Sequence, residues 1–148
     1  MTRNRWLTAA LAIGAALGIA GTVGVLPAVG QSSPPSSPII LGGTAHIIAK
    51  GAAVKPYAYV VCQPGDFAQV EISITEKSGN GIASGTGYVD SFNCTGQIEK
   101  LTVPVTAFGK PFVKGTAFGQ ATLFDCGQFN CGQATVSHKV TLKTVKKK

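Results

Sequence analysis

The chain has 148 residues, of which 13 are Lys or Arg and 6 are Asp or Glu, for a formal net charge of +7. Its two arginines, Arg3 and Arg5, precede residue 31, so the remaining 118 residues carry 11 Lys against 6 acids, a net of +5. Nucleic-acid binders of this size interleave arginine and aromatics on a basic face, whereas these lysines are scattered at strand ends, which argues against a nucleic-acid partner.

Arg3 and Arg5 open a targeting segment. The uncharged apolar run WLTAALAIGAALGIAGTVGVL follows, and Ala28 and Gly30 stand at the −3 and −1 positions of a cleavage site before Gln31. A signal peptide is expected over residues 1–30, for general secretion, because Asn4 separates the arginines that a twin-arginine signal would pair. An uncleaved anchor is the alternative, since about 20 apolar residues span a bilayer. The Gly- and Ala-rich run and the small-residue site favour cleavage. The expected location is extracellular or cell-surface, with no stable membrane insertion after cleavage.

Residues 31–38, QSSPPSSP, read as a Ser/Pro-rich spacer. One domain is expected over residues 39–145, large enough to bury a core, with Lys146 to Lys148 as a basic tail. Within it β signals recur every ten or so residues between turn residues. GTAHIIAKG comes first, then VKPYAYVVCQPGD, in which Tyr57, Tyr59 and Val61 alternate with Ala58, Val60 and Cys62. FAQVEISITEKSGNGIASGTGYVD predicts a hairpin, with Val70, Ile72 and Ile74 on one face of its first arm and SGNG supplying the turn. QIEKLTVPVTAFG offers Ile98, Leu101, Val103 and Val105, but its Pro104 places the strand at an edge or a bulge. In TAFGQATLFDC, Ala117, Gly119, Ala121 and Leu123 oppose Phe118, Gln120, Thr122 and Phe124; in the last strand Ala134, Val136, His138, Val140 and Leu142 share a face. No segment after residue 30 shows a 3.6-residue period. The expected fold is all-β: an antiparallel, seven-stranded, immunoglobulin-like sandwich with Greek-key connections. A small barrel is the alternative that strand counting leaves open.

The cysteines are Cys62, Cys94, Cys126 and Cys131. An oxidising compartment and an even count predict disulfides, and neither close pair has the C-x2-C spacing of a zinc site. Cys126 and Cys131 bracket GQFN between the last two strands, which brings them near the ~5.5–6 Å Cα separation a disulfide takes. Cys62 is then left to Cys94.

The order VVCQPGD, VEISITEKSGNGIASGTGYVDSFNCTGQ, LTVPVTAFGKPFVKGTAFGQATLFDCGQFNC and VTLK resembles a group of small secreted actinobacterial proteins described as a domain of unknown function. Its shared features are V-x-C before a turn, a G-x-A-x-G-x-G hairpin arm, C-T-G, an F-x-x-G turn and a late close cysteine pair, over roughly residues 45–143. That resemblance implies secretion and a sandwich. The late C-x4-C hairpin is also similar to that of neocarzinostatin-type apoproteins, secreted sandwiches that carry an enediyne chromophore. Their other disulfide closes a shorter loop than Cys62–Cys94.

An enzyme needs a nucleophile, a base and an orienting group, or a metal. His46 and His138 are the two imidazoles and have no partner motif; Ser84 in SGTG lies on a hairpin arm instead of a strand-to-helix elbow. Asp66, Asp90 and Asp125 fall near turns without a calcium-loop signature, and NCT at Asn93 is an isolated sequon. No catalytic residue, metal or cofactor is therefore expected. The aromatics at turns, Phe92, Phe108, Phe112 and Phe129, either anchor loops to the core or mark a binding surface. The resulting expectation is a non-enzymatic interaction protein with a protein, glycan or surface partner. The alternative is a carrier of a small apolar ligand held by Phe118, Phe124 and Phe129 near the late disulfide.

Overall fold

The computed structural model describes residues 37–145; the expected signal peptide, most of the spacer and the basic tail lie outside them. The described chain is all-β apart from one 3-10 turn, Ala49–Gly51. Its eleven strands are β1 (Ile39–Leu41), β2 (Thr44–Ile48), β3 (Ala53–Lys55), β4 (Tyr57–Val60), β5 (Phe67–Ser78), β6 (Gly81–Asn93), β7 (Glu99–Thr102), β8 (Val105–Thr106), β9 (Phe108–Gly109), β10 (Gly115–Cys126) and β11 (Cys131–Thr144). They form a three-stranded sheet, β1-β4-β7, and an eight-stranded sheet, β8-β3-β2-β11-β10-β5-β6-β9. All pairs are antiparallel except β2 with β11.

The sequence predicts seven strands, and the structure corrects this to eleven: β1 precedes the first predicted run, the second run divides into β3 and β4, and the run from Gln97 to Gly109 divides into β7, β8 and β9. The chain passes between the small and the large sheet at three breaks. Gly42 and Gly43 separate β1 from β2, Pro56 separates β3 from β4, and Val103 with Pro104 separates β7 from β8. Proline has no N–H for the ladder, so pairing ends there. At Gly42 a Cβ would lie 2.4 Å from the Tyr57 ring, so the ring requires glycine beneath it.

The large sheet almost closes on itself. Its terminal strands, β8 and β9, belong to one stretch with Ala107 between them, and the Ala107 N–H donates to the Ala52 carbonyl at 2.7 Å. β6 lies directly under that stretch. A Cβ on Gly85 would sit 2.1 Å from the Thr106 carbonyl oxygen, and one on Gly87 2.1 Å from that of Pro104. The two glycines of SGTG thus permit a backbone-on-backbone crossing. Architecturally the molecule lies between the expected sandwich and the alternative barrel.

Period-two alternation puts Val70, Ile72 and Ile74 of β5, Ala117, Ala121 and Leu123 of β10, and Val140 and Leu142 of β11 in the interior. The small sheet covers them with Leu41, Ala58 and Val60; a Cβ on Gly119 would come within 2.9 Å of Leu41 and 2.6 Å of Val140, so the layers meet there. Val103, Val105 and Phe112 complete this core, whereas Ile98 precedes β7 and is exposed. Ala134, Val136 and His138 are half-buried.

Both disulfides pair as the spacing predicts, and no described cysteine is free. Cys126 and Cys131 are register partners at the end of the β10–β11 hairpin, with Cα atoms 4.0 Å apart. Cys62 and Cys94 join the loops after β4 and β6 at 5.4 Å.

Candidate functional site

The outer face of the large sheet follows from the registers of β10, β5 and β6. Phe118, Thr75 and Ser84 lie in one row across the three strands; then come Gln120, Ser73 and Thr86; then Thr122, Glu71 and Tyr88. Phe124 and Gln69 follow, and Cys126 and Phe67 end the series. Between Phe118 and Phe124 this face holds one charge, Glu71, among hydroxyls and amides. The Thr122 and Thr135 hydroxyls hydrogen-bond each other at 3.1 Å across β10 and β11.

Toward β9 the face dips into an open depression of about 480 Å³ lined by Ser73, Thr75, Ser84, Gly85, Thr86, Thr106, Ala107 and Phe108. Five of these residues carry hydroxyls. Phe108, in register with Ser84, leaves 81% of its surface in solvent. The depression exists because Gly85 and Gly87 let the 104–106 backbone settle against β6.

The three phenylalanines singled out from the sequence do not form one cluster. Phe118 and Phe124 share the outer face but stand six residues apart on β10, about 20 Å at strand rise. Phe124 is beside the late disulfide and Phe129 is at the hairpin tip, 89% exposed. A further exposed aromatic beside that disulfide is Phe67, which opens β5 in register with Cys126. Cross-strand register carries that information, and local sequence does not. Of the other turn aromatics, Phe112 is core and Phe92 packs against it.

The imidazoles lie on opposite faces of the sheet. His46 is exposed on β2 between Lys143 and Lys55, and His138 is half-buried on β11 opposite Gly119. Among the described residues no three His, Cys, Asp or Glu side chains gather as a metal site requires. Asp125 is buried and accepts the Ser37 hydroxyl at 2.7 Å on Oδ2, while Oδ1 has no partner. Glu76 is the other buried acid. Burial raises its carboxyl above the ordinary carboxylate range, partly offset by the hydrogen bond it accepts from the Val113 N–H.

On the outer face of the small sheet, Tyr57 and Tyr59 meet edge to face at 5.6 Å, and the Lys100 ammonium stands 4.4 Å above the Tyr57 ring. No family model matches the chain, and no curated protein matches it at a significant level.

Proposed function

We propose that the chain is a secreted, non-enzymatic binding protein of immunoglobulin-like topology that takes a glycan on the outer face of its eight-stranded sheet. The depression beside Phe108 carries this reading. Its floor offers the hydroxyl donors and acceptors of Ser73, Thr75, Ser84, Thr86 and Thr106, and its rim an exposed aromatic ring. A sugar presents the complement, hydroxyls at its edge and C–H groups on its face, and needs no charged partner.

The order β11-β10-β5-β6, the parallel β2–β11 pair and the opposing β1-β4-β7 sheet support the immunoglobulin-like assignment. The two disulfides support an oxidising, extracellular location, as do the apolar run after Arg3 and Arg5 and the site at Ala28 and Gly30. The separation of His46 from His138 by the sheet supports a non-enzymatic role.

Retention on insoluble cell-wall polysaccharide tests the reading. Phe108→Ala and Thr86→Ala are each expected to weaken retention about tenfold, a loss of ~1.4 kcal/mol, with an unchanged circular dichroism spectrum. Retention indifferent to both substitutions overturns it, as does a protein that no polysaccharide retains.

A second reading, a carrier of a small apolar ligand, is favoured by Phe67, Phe124 and Phe129 around the Cys126–Cys131 bridge. Native mass spectrometry of the protein from its own host decides it. A co-purifying mass lost in Phe129→Ala supports the carrier, and a bare protein mass excludes it.

A further inference from the structure

The two ends of the molecule carry opposite charge. At the disulfide end the loops and strand ends contribute Asp66, Asp90 and Glu99, with Asp125 behind them and Lys100 as the one lysine nearby. At the other end lie the Ala49–Gly51 turn, the β5–β6 turn, the segment 110–114 and the end of β11. These contribute Lys50, Lys77, Lys110, Lys114 and Lys143, all exposed.

Hydrogen bonds tie these elements into one surface. The Phe112 N–H donates to the Gly51 carbonyl at 2.8 Å, the Ser78 hydroxyl to the Pro111 carbonyl at 2.9 Å and the Val113 N–H to Glu76. The Lys110 N–H reaches the Ile82 carbonyl at 3.4 Å. The one acid at this end, Glu76, is therefore turned inward onto the segment 110–114 and buried. Strands β2, β3 and β11 carry no acidic residue, and Lys143, His46 and Lys55 stand in register on neighbouring strands. Lys143 and Lys55 thus flank the row two strand spacings apart, roughly 10 Å, with no carboxylate between them.

The lysines alternate with apolar side chains that face solvent. Ile82 pairs with Lys77, Val113 precedes Lys114, and Val145 ends the described chain two residues past Lys143; all three are exposed. The sequence then adds Lys146 to Lys148. Between Lys114 and Lys143 the surface opens into a depression of about 420 Å³ that Thr116, Thr141 and Thr144 line with hydroxyls.

We propose that this basic end docks onto an anionic lipid bilayer, with the ammoniums on headgroup phosphates and Ile82, Val113 and Val145 at the acyl boundary. Lysine suits this partner. It is a mobile point charge that needs no fixed bidentate geometry, and its stem lies along apolar surface while its head reaches the phosphates. A soluble polyanion would use the charges but leave the apolar side chains between them unexplained. The docking surface is distinct from the depression beside Phe108, so either binds if the other does not.

Hydrogen–deuterium exchange of the full chain tests this on vesicles of phosphatidylcholine with 30 mol% phosphatidylglycerol and on phosphatidylcholine alone. The N-terminal apolar run, with Arg3 and Arg5, is unchanged in the variants below, so protection localised to the basic end and its loss on substitution read that end. Segments 77–82 and 109–114 are expected to gain protection on the anionic vesicles alone, and to lose it in 1 M salt, where the screening length falls to about 3 Å. The double variant Lys110→Gln/Lys114→Gln is expected to bind these vesicles about 30-fold more weakly. Ile82→Ser/Val113→Ser is expected to lose the protection while keeping the interior amides of β5 and β10 slow, which reports an intact fold. Equal protection on both lipids, protection at the Cys62–Cys94 end, or indifference to both variants overturns the proposal. So does protection by soluble long-chain polyphosphate with none on vesicles, which assigns the end to a soluble polyanion.

Discussion

Glu76 continues the alternation that buries Val70, Ile72 and Ile74, and a carboxylate there has to be accounted for. It accepts the Val113 N–H and so fixes the segment that crosses the basic end. Burial raises its folded-state pKa above the unfolded value, so between the two values the folded state binds more protons than the unfolded one. Stability attributable to this group is highest below the unfolded pKa and falls as pH rises through the raised folded value. Glu76→Gln keeps an acceptor for Val113 and is expected to flatten that dependence, read as the urea midpoint at successive pH values from 4 to 7. Glu76→Ala orphans the Val113 N–H and is expected to cost about 1–3 kcal/mol in the same titration. The Ala49–Gly51 turn holds a different cost: Ala49 and Lys50 both have positive φ, 48° and 56°. An L-residue loses roughly 1–2 kcal/mol in that region, and the extra freedom glycine has when unfolded takes back part of any relief. Ala49→Gly is expected to raise stability by about 1 kcal/mol, a higher urea midpoint with unchanged slope.

Among the elements, the β5–β6 hairpin and the β10–β11 hairpin were legible from the sequence. Alternation, a Gly-rich turn and a close cysteine pair are local signals, and a hairpin is a local object. The break at Val103–Pro104 was half legible, and those at Gly42–Gly43 and Pro56 were not. Pro104 predicts an interruption, but whether the strand ends or changes sheets depends on what pairs with it further along the chain. That the G-x-G of β6 meets the carbonyls of Pro104 and Thr106 required the closure of the large sheet. Neither carbonyl can retreat without moving its whole strand. Gly85→Ala and Gly87→Ala are thus each expected to destabilise by about 3 kcal/mol in chemical denaturation, whereas Gly115→Ala, whose Cβ meets nothing within 4 Å, is expected to be tolerated. Phe67 beside the late disulfide was missed for the same reason: it lies 57 residues before Phe124 in sequence, and register alone brings it opposite Cys126.

For the molecule as a whole, the two disulfides constrain unequal loops. The sequence separations are 32 for Cys62–Cys94 and 5 for Cys126–Cys131. Loop-closure entropy then predicts that Cys62→Ser/Cys94→Ser costs about 4 kcal/mol and Cys126→Ser/Cys131→Ser about 2 kcal/mol. Differential scanning calorimetry of the two double variants checks the order, and a larger loss from the hairpin bridge would contradict the loop account. Composition also misleads at this scale. Lysines scattered along the sequence read as strand-end solubilisers, yet the fold gathers five of them at one end and sends most of the acids to the other.

The sequence alone determined the all-β class, both cysteine pairings and which residues of β5, β10 and β11 share a face, because alternation and turn chemistry act over a few residues. Only the tertiary structure decided that three strands change sheets, that the larger sheet nearly closes, and that hydroxyls, aromatics and lysines assemble into separate surfaces. Those outcomes depend on pairings between segments tens of residues apart. Such a pairing is chosen by the packing of the whole core, and no single segment encodes it.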